Sequence, residues 1–234
     1  FPGEGPPCYS GRMLWRAVTD TAPFLGGRTM IMAGHQSQKF VSYPISEAHR
    51  QRGESLTNWI AELALGGPPP ARQDWSRVVP AAVFAEAFEG WKFPWLDVPA
   101  MIGGAAEVFE YPMVDRDPLP RWSFGPVTLL GDAAHPMYPI GSNGASQAIL
   151  DADALAQAVV ATPDVAAAFS AYEARRRPPT AAVVEANRRN GPEEVMQLAE
   201  ERAPQGFGEI EEVISRPELE AIAAYQLGAE SGLL

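Results

Sequence analysis

The chain has 234 residues, 46% of them hydrophobic and 20% charged, with 21 glycines and 23 prolines. That length carries one large domain or two small ones with a real core. The glycine and proline content predicts many turns rather than a helical bundle. A formal net charge of −11 repels nucleic-acid phosphates and anionic lipid and argues against both as partners.

The single cysteine, Cys8, allows no intrachain disulfide. This fits a reducing compartment, so a cytoplasmic location is expected. No window approaches the roughly 18 uninterrupted apolar residues of a membrane span. The most apolar helical stretch, Ala145 to Ala161, is cut by Asp151 and Asp153. Phe1-Pro2-Gly3-Glu4-Gly5-Pro6-Pro7 is neither a signal peptide nor a Met start. It reads as an internal or processed end of a longer product.

In chain order, Arg12 to Thr19, Thr29 to Ala33 and Lys39 to Ile45 read as strands with short links, an antiparallel meander. Residues 47–54 read as a charged loop. Trp59, Ile60, Leu63 and Ala64 recur at helical spacing, which predicts a helix over Thr57 to Leu65. A second short helix is expected over Val83 to Trp91 and a third after Asp97. Ala106 to Met113 reads as a strand that joins the first three. Val127 to Leu130 reads as a short buried strand.

A long helix is expected from Ser142 to Ala161, with Ala145, Ala148, Ile149, Ala152, Leu155, Ala156 and Val159 on its apolar face. Thr162 and Pro163 open another helix as cap and first residue. Pro178-Pro179 kinks or breaks it, and a further piece runs to Asn190. Arg175-Arg176-Arg177 reads as a solvated helix end. The tail, 191–234, is acidic and helical in pattern.

The chemistry-bearing stretch is Gly131-Asp132-Ala133-Ala134-His135, followed by Pro139, Gly141, Ser142, Asn143 and Gly144. A strand ends at a Gly-Asp pair, the chain passes through a loop that permits close backbone approach, and a helix opens at once. This arrangement presents N–H groups and a helix N-terminus to an electron-rich ligand.

Gly131 to His135 with Pro139, Gly141 and Gly144, then Asp151-Ala152 and Leu155-Ala156, resembles the second flavin motif of the para-hydroxybenzoate-hydroxylase-like FAD-dependent aromatic monooxygenases. Tyr9-Ser10-Gly11 with Trp15-Arg16, Lys39-Phe40-Val41 with Tyr43-Pro44-Ile45, Trp59-Ile60, and Tyr172-Glu173 with Arg175-Arg176-Arg177-Pro178 extend the resemblance in the same order. The likeness covers roughly residues 5–190 and is nearest the salicylate- and phenazine-hydroxylase branch.

The resemblance implies that Asp132 holds the ribityl chain of FAD. It implies that Gly131 is also among the cofactor-binding residues and that Gly141, Ser142, Asn143 and Gly144 offer N–H groups to the flavin pyrimidine edge. Pro139 would lie beside the ring, on the substrate side, where it lines the pocket; Tyr43, read from its place in the sheet, either lines the substrate pocket or belongs to the sheet core. It further implies NADH or NADPH as reductant, a small aromatic or heteroaromatic acid as substrate, and few protein acid–base groups, so no catalytic side chain is assigned. The expected architecture is α+β. An antiparallel or mixed-sheet substrate domain with short helices covers 1–118, a strand–loop–helix flavin segment covers 119–190, and a helical acidic tail covers 191–234.

Two upstream motifs of that family have no counterpart here. Gly3-Glu4-Gly5-Pro6-Pro7-Cys8 lacks the third glycine of the dinucleotide fingerprint and sets prolines where a helix should begin. The FAD site is therefore expected to be incomplete in this chain. The missing segment, or a separate chain supplying it, becomes a candidate partner, and the chain alone is not expected to retain FAD tightly.

Other readings compete. Asp132 could merely cap a turn, His135 is a loop histidine rather than a general base, and Trp15 and Trp59 are core. His35 and His49 stand apart from other ligand types, so no metal site is expected. Gly144-Ala145-Ser146-Gln147-Ala148 is one residue from a nucleophile-elbow spelling with His135 and Asp132 nearby. Ser146, however, falls inside the helix rather than at a strand end, which argues against a serine hydrolase. A truncated relative that only binds an aromatic ligand or a partner chain is the remaining alternative.

Overall fold

The computed structural model describes residues 5–70 and 74–231; of the dinucleotide-like spelling near the N-terminus, Gly3 and Glu4 lie outside the described residues. The elements in chain order are β1 (Cys8–Thr21), β2 (Ile31–His35), β3 (Gln38–Pro44), α1 (Glu47–Gln51), β4 (Ser55–Ala64), β5 (Val78–Val79), β6 (Lys92–Phe93), β7 (Leu96–Asp97), α2 (Val98–Gly103) and β8 (Val108–Asp115). They continue with β9 (Ser123–Phe124), β10 (Val127–Thr128), α3 (Gly144–Ala161), α4 (Val165–Arg188), α5 (Glu194–Arg202) and α6 (Arg216–Ser231). The chain divides into two compact units. A sheet unit spans Gly11–Met113, and a helical unit comprises the described residues up to Ser10 and from Val114 onward.

The sheet has six strands in the order β2-β3-β4-β1-β8-β5. The α+β class is as expected, but the meander is not: β1 pairs with β4 rather than β2. The stretch predicted as a helix at Thr57 to Leu65 is the central strand β4. Its helical spacing was accidental. Asn58 and Glu62 are buried together with Thr57, Trp59 and Ala61, so both faces are covered and the alternation that marks a half-exposed strand is lost.

One face of this sheet carries the aromatic core. Trp15 and Phe84 stack with centroids 4.7 Å apart, and Phe40, Trp59 and Phe88 pack around them. Trp15 and Trp59 are core, as expected, at 1% and 0% exposure. Phe84 and Phe88 arrive on short 3-10 turns instead of the helix predicted over Val83 to Trp91. Residues 47–54, expected as loop, contain α1, whose N-cap Ser46 accepts from the His49 amide. The helix after Asp97 is α2, capped by the Asp97 side chain, which accepts from the Ala100 amide.

In the helical unit, Val127 to Leu130 is not a buried strand. β10 pairs only with β9, and Val127 and Leu130 are exposed. Helix α4 is capped by Asp164, not Thr162: the Asp164 carboxylate accepts from the Ala166 amide at 2.9 Å and the Ala167 amide at 3.4 Å. The helix runs through Pro178-Pro179 without ending. Thr180 Oγ1 donates to the Arg176 and Arg177 carbonyls at 3.0 and 3.1 Å, a back-bond of the kind serine and threonine make within helices.

The face that α3 buries is also not the predicted one. It buries Gln147, Asp151 and Ala154, with Leu155 and Ala158 packed partly against the Trp122–Tyr172 cluster. Ala145, Ile149, Ala152, Ala156 and Val159 are exposed. A polar network, described next, draws the polar side of α3 inward.

Candidate functional site

The site grows from the turn at Gly131. Leu130 is extended, and Gly131 then takes φ +57°, which opens a 3-10 turn through Ala133. The Ala134 and His135 amides both donate to the Gly131 carbonyl, at 2.8 and 3.0 Å. Asp132 therefore projects from the outer corner of a tight turn, and its side chain is exposed.

The loop that follows is anchored at both flanks. Tyr138 is buried, its hydroxyl donates to the Cys8 carbonyl at 3.2 Å, and its own carbonyl accepts from Asn187 Nδ2 at 3.1 Å. Ile140 is buried, whereas Pro139 is exposed. Gly141 and Ser142 both adopt left-handed backbone, φ +70° and +56°. A Cβ on Gly141 would come within 3.1 Å of Asn143 Nδ2 and 3.3 Å of Pro192. A left-handed serine is uncommon and is sustained here by this anchored loop.

Helix α3 begins at Gly144 with no side-chain cap from Asn143. An 18-residue helix with uncapped first-turn amides carries unpaired donors and the positive end of its dipole. A Cβ placed on Gly144 would lie 3.9 Å from Asp132 Oδ1, so the Asp132 carboxylate stands over the first turn of α3. The fold thus brings together Gly131, Asp132, Gly141, Ser142, Asn143 and Gly144. The absence of a side chain at Gly144 leaves a cradle floored by N–H groups and flanked by a carboxylate. That donor-and-acceptor set fits a flavin's hydroxyl-bearing chain and its electron-rich ring edge. Tyr43 lies in the sheet unit, on β3, half-buried.

Beneath the turn lies a buried charge network that the sequence did not announce. Asp151 is fully buried and accepts from the Gly131 amide at 2.9 Å, His135 Nε2 at 2.5 Å and Arg176 Nε at 2.7 Å. Arg176 Nη2 donates to Gln147 Oε1 at 2.6 Å. The run Arg175-Arg176-Arg177 is thus not merely a solvated end, because Arg176 is buried. Burial works against the Asp151 charge, but the hydrogen bonds from His135, Arg176 and Gly131 outweigh it and hold the carboxyl below its ordinary range. Asp151, one of the two aspartates that interrupt the apolar pattern of α3, was the available signal.

His135 is buried against Trp122, with ring centroids 5.5 Å apart, and its Nδ1 has no hydrogen-bond partner. Facing a carboxylate, Nε2 carries the proton. The ring buttresses the turn. It is bonded to Asp151 and not to Ser146, so the hydrolase grouping is not assembled. Among the described residues no group of His, Cys, Asp and Glu could hold a metal.

Residues 112–187 match the family of the FAD binding domain. The chain is 47% identical over 182 residues to the phenazine 1,6-dicarboxylic acid hydroxylase of Lysobacter antibioticus, covering 75% of this chain and 44% of that protein. This chain is homologous to the C-terminal portion of FAD-dependent aromatic monooxygenases. A second such relative, the 3-amino-4-hydroxybenzoate 2-monooxygenase of Streptomyces platensis, is 40% identical over 153 residues, covering 65% of this chain and 36% of that protein. The chain spans less than half the length of both monooxygenases. The fold is shared with a salicylate hydroxylase solved with its substrate, at TM-score 0.62 and 20% identity, over 97% of this chain and 54% of that one. The Gly131 turn, the loop and α3 all fall within the matched FAD-binding region.

Proposed function

We propose that this chain supplies the isoalloxazine and ribityl side of the FAD site in a monooxygenase that hydroxylates an aromatic or heteroaromatic acid. The observation that carries this reading is the uncapped start of α3 with the Asp132 carboxylate over its first turn. FAD, when bound and reduced by NADH or NADPH, supplies the oxygen-activating chemistry. The chain's own residues do the holding. Asp132 accepts from the ribityl hydroxyls, and Gly131, fixed by Asp151, sets the direction of Asp132. The amides at Gly141, Ser142, Asn143 and Gly144 face the ring edge and favour negative charge there. Pro139, exposed on the same loop, lies beside the ring.

The portion of the relatives that this chain does not span supports completion of the site by another polypeptide segment, in cis or in trans. A single cysteine fits the cytoplasm as the place of action. Among the described residues no helix is long and apolar enough to cross a membrane.

The test is an equilibrium titration of FAD into the purified chain and its Asp132→Ala variant. Weak, reversible binding is expected for the wild type, and binding at least tenfold weaker for Asp132→Ala. Stoichiometric flavin retained through purification would overturn the incompleteness of the site. Unchanged affinity in Asp132→Ala would overturn its ribityl role.

A further inference from the structure

The loop from Tyr138 to Ser142 has an open side and a held side. Pro139 and Ser142 are exposed, whereas Tyr138 and Ile140 are buried. Three positions of the loop meet one short stretch of the helical unit, the end of α4 and the turn after it. Asn187, in the last turn of α4, is 1% exposed and donates through Nδ2 to the Tyr138 carbonyl at 3.1 Å. A Cβ on Gly191 would lie 3.6 Å from Ile140 Cγ2. A Cβ on Gly141 would lie 3.3 Å from Pro192 Cδ and 3.5 Å from its Cγ, so the pyrrolidine ring sits against the Gly141 backbone.

The stretch that makes these contacts is itself tightly specified. After α4, Asn190 takes left-handed backbone at φ +70°, and Gly191 follows at φ +47°. The 3-10 turn Gly191–Glu193 then begins, with Pro192 at its start, where a fixed φ costs nothing. The Glu193 amide donates to the Asn190 carbonyl at 2.9 Å and closes the turn. Helix α6 packs against both α4 and this turn. Two left-handed pairs, Gly141–Ser142 and Asn190–Gly191, thus lie against one another.

The match to the FAD binding domain ends at residue 187, so the turn lies beyond it. Left-handed serine is a strained state that persists only where its surroundings impose it. A loop that leaves this state must be reordered before its amides can meet a ligand, and affinity falls in proportion to the fraction of time it is competent.

We propose that Asn187 and Pro192 are positioning residues for the flavin-edge loop. Asn187 pins it through the Tyr138 carbonyl, and Pro192 blocks the space into which Gly141 would relax. Together they hold Gly141 and Ser142 in left-handed backbone, which makes the turn after α4 a working part of the cofactor site. The proposal rests on the reading of this loop as the edge that faces the flavin ring.

The test is amide hydrogen exchange on the full chain, paired with FAD titration. Pro192→Ala and Asn187→Leu speed exchange between Tyr138 and Gly144 at least tenfold and leave the middle of α4 unchanged. Both weaken FAD binding at least tenfold. Glu200→Gly, an exposed change that weakens α5, lowers the thermal midpoint and moves neither reading, which separates positioning from stability. Pro192 is only partly buried, so Pro192→Ala decides the matter even where Asn187→Leu does not fold. Unchanged loop exchange in Pro192→Ala overturns the proposal. Faster loop exchange with unchanged FAD affinity, while Asp132→Ala still weakens FAD binding, sinks the positioning role alone. FAD binding that answers to Pro192→Ala but not to Asp132→Ala sinks the ribityl role alone. FAD binding that is absent, or indifferent to both variants, sinks both.

Discussion

Asp151 Oδ1 and Arg176 Nε meet at 2.7 Å in the interior of the helical unit, joining α3 to α4. The pair also reaches the Gly131 amide and Gln147, so a single carboxylate ties the turn that carries Asp132 to both helices. Removing one partner leaves an uncompensated buried charge, which costs about 3–5 kcal/mol. Arg176→Met is therefore expected to destabilise the chain by about that amount, measured as a fall in the urea midpoint. The double variant Asp151→Asn/Arg176→Met, with both charges gone, should lose less than Arg176→Met alone.

The same network predicts a direction of pH dependence. The Asp151 carboxyl is held below its ordinary value in the fold, whereas the unfolded chain titrates it near pH 3.9. A depressed carboxylate stabilises the fold fully above the unfolded value and loses that contribution as pH falls through the folded one. Thermal midpoints should therefore drop steeply below about pH 4, and Asp151→Asn should show a smaller drop from a lower starting point. A wild-type profile that stays level across that acidic range would contradict the assignment.

Backbone conformation sets a third expectation. Gly131 has φ +57°, and a Cβ there would come within 3.2 Å of Ala148 Cβ, whereas Gly125 at φ +59° has open space around it. Left-handed backbone costs a side-chain-bearing residue about 1–2 kcal/mol. Gly125→Ala should show that cost alone, and Gly131→Ala should exceed it. Gly34→Ala should be worse than either, because at φ +107° its Cβ would be driven onto the Gln38 carbonyl within the β2–β3 hairpin. Chemical denaturation of the three variants ranks them.

How far these features could be read in advance differs by element. The loop from Gly131 to Gly144 was legible because positive φ and close backbone approach demand glycine, and glycines stand in the sequence where the turns are. β4 was not legible. Burial of Asn58 and Glu62 alongside Trp59 and Ala61 left no alternation of polar and apolar residues, and the residual spacing mimicked a helix. Arg176 was hidden inside a basic run whose neighbour Arg175 is indeed exposed. Nothing local marks which of three adjacent arginines turns inward. Asp151 held the complementary signal, but a pairing across 25 residues belongs to tertiary structure. For the same reason the apolar stripe of α3 does not mark the side that is buried.

That stripe has a consequence for the chain in solution. Ile149 and Val160 are 70% and 87% exposed, and with Ala145, Ala152, Ala156 and Val159 they form a contiguous oily strip along α3, on a protein whose net charge of −11 would otherwise keep its copies apart. Colloidal behaviour should therefore hinge on ionic conditions. Screening salt removes the repulsion, and sulfate strengthens apolar burial, so both should precipitate the chain early. Ile149→Lys and Val160→Lys, at exposed positions, should raise the ammonium sulfate concentration needed for precipitation and change folding stability by no more than about half a kcal/mol.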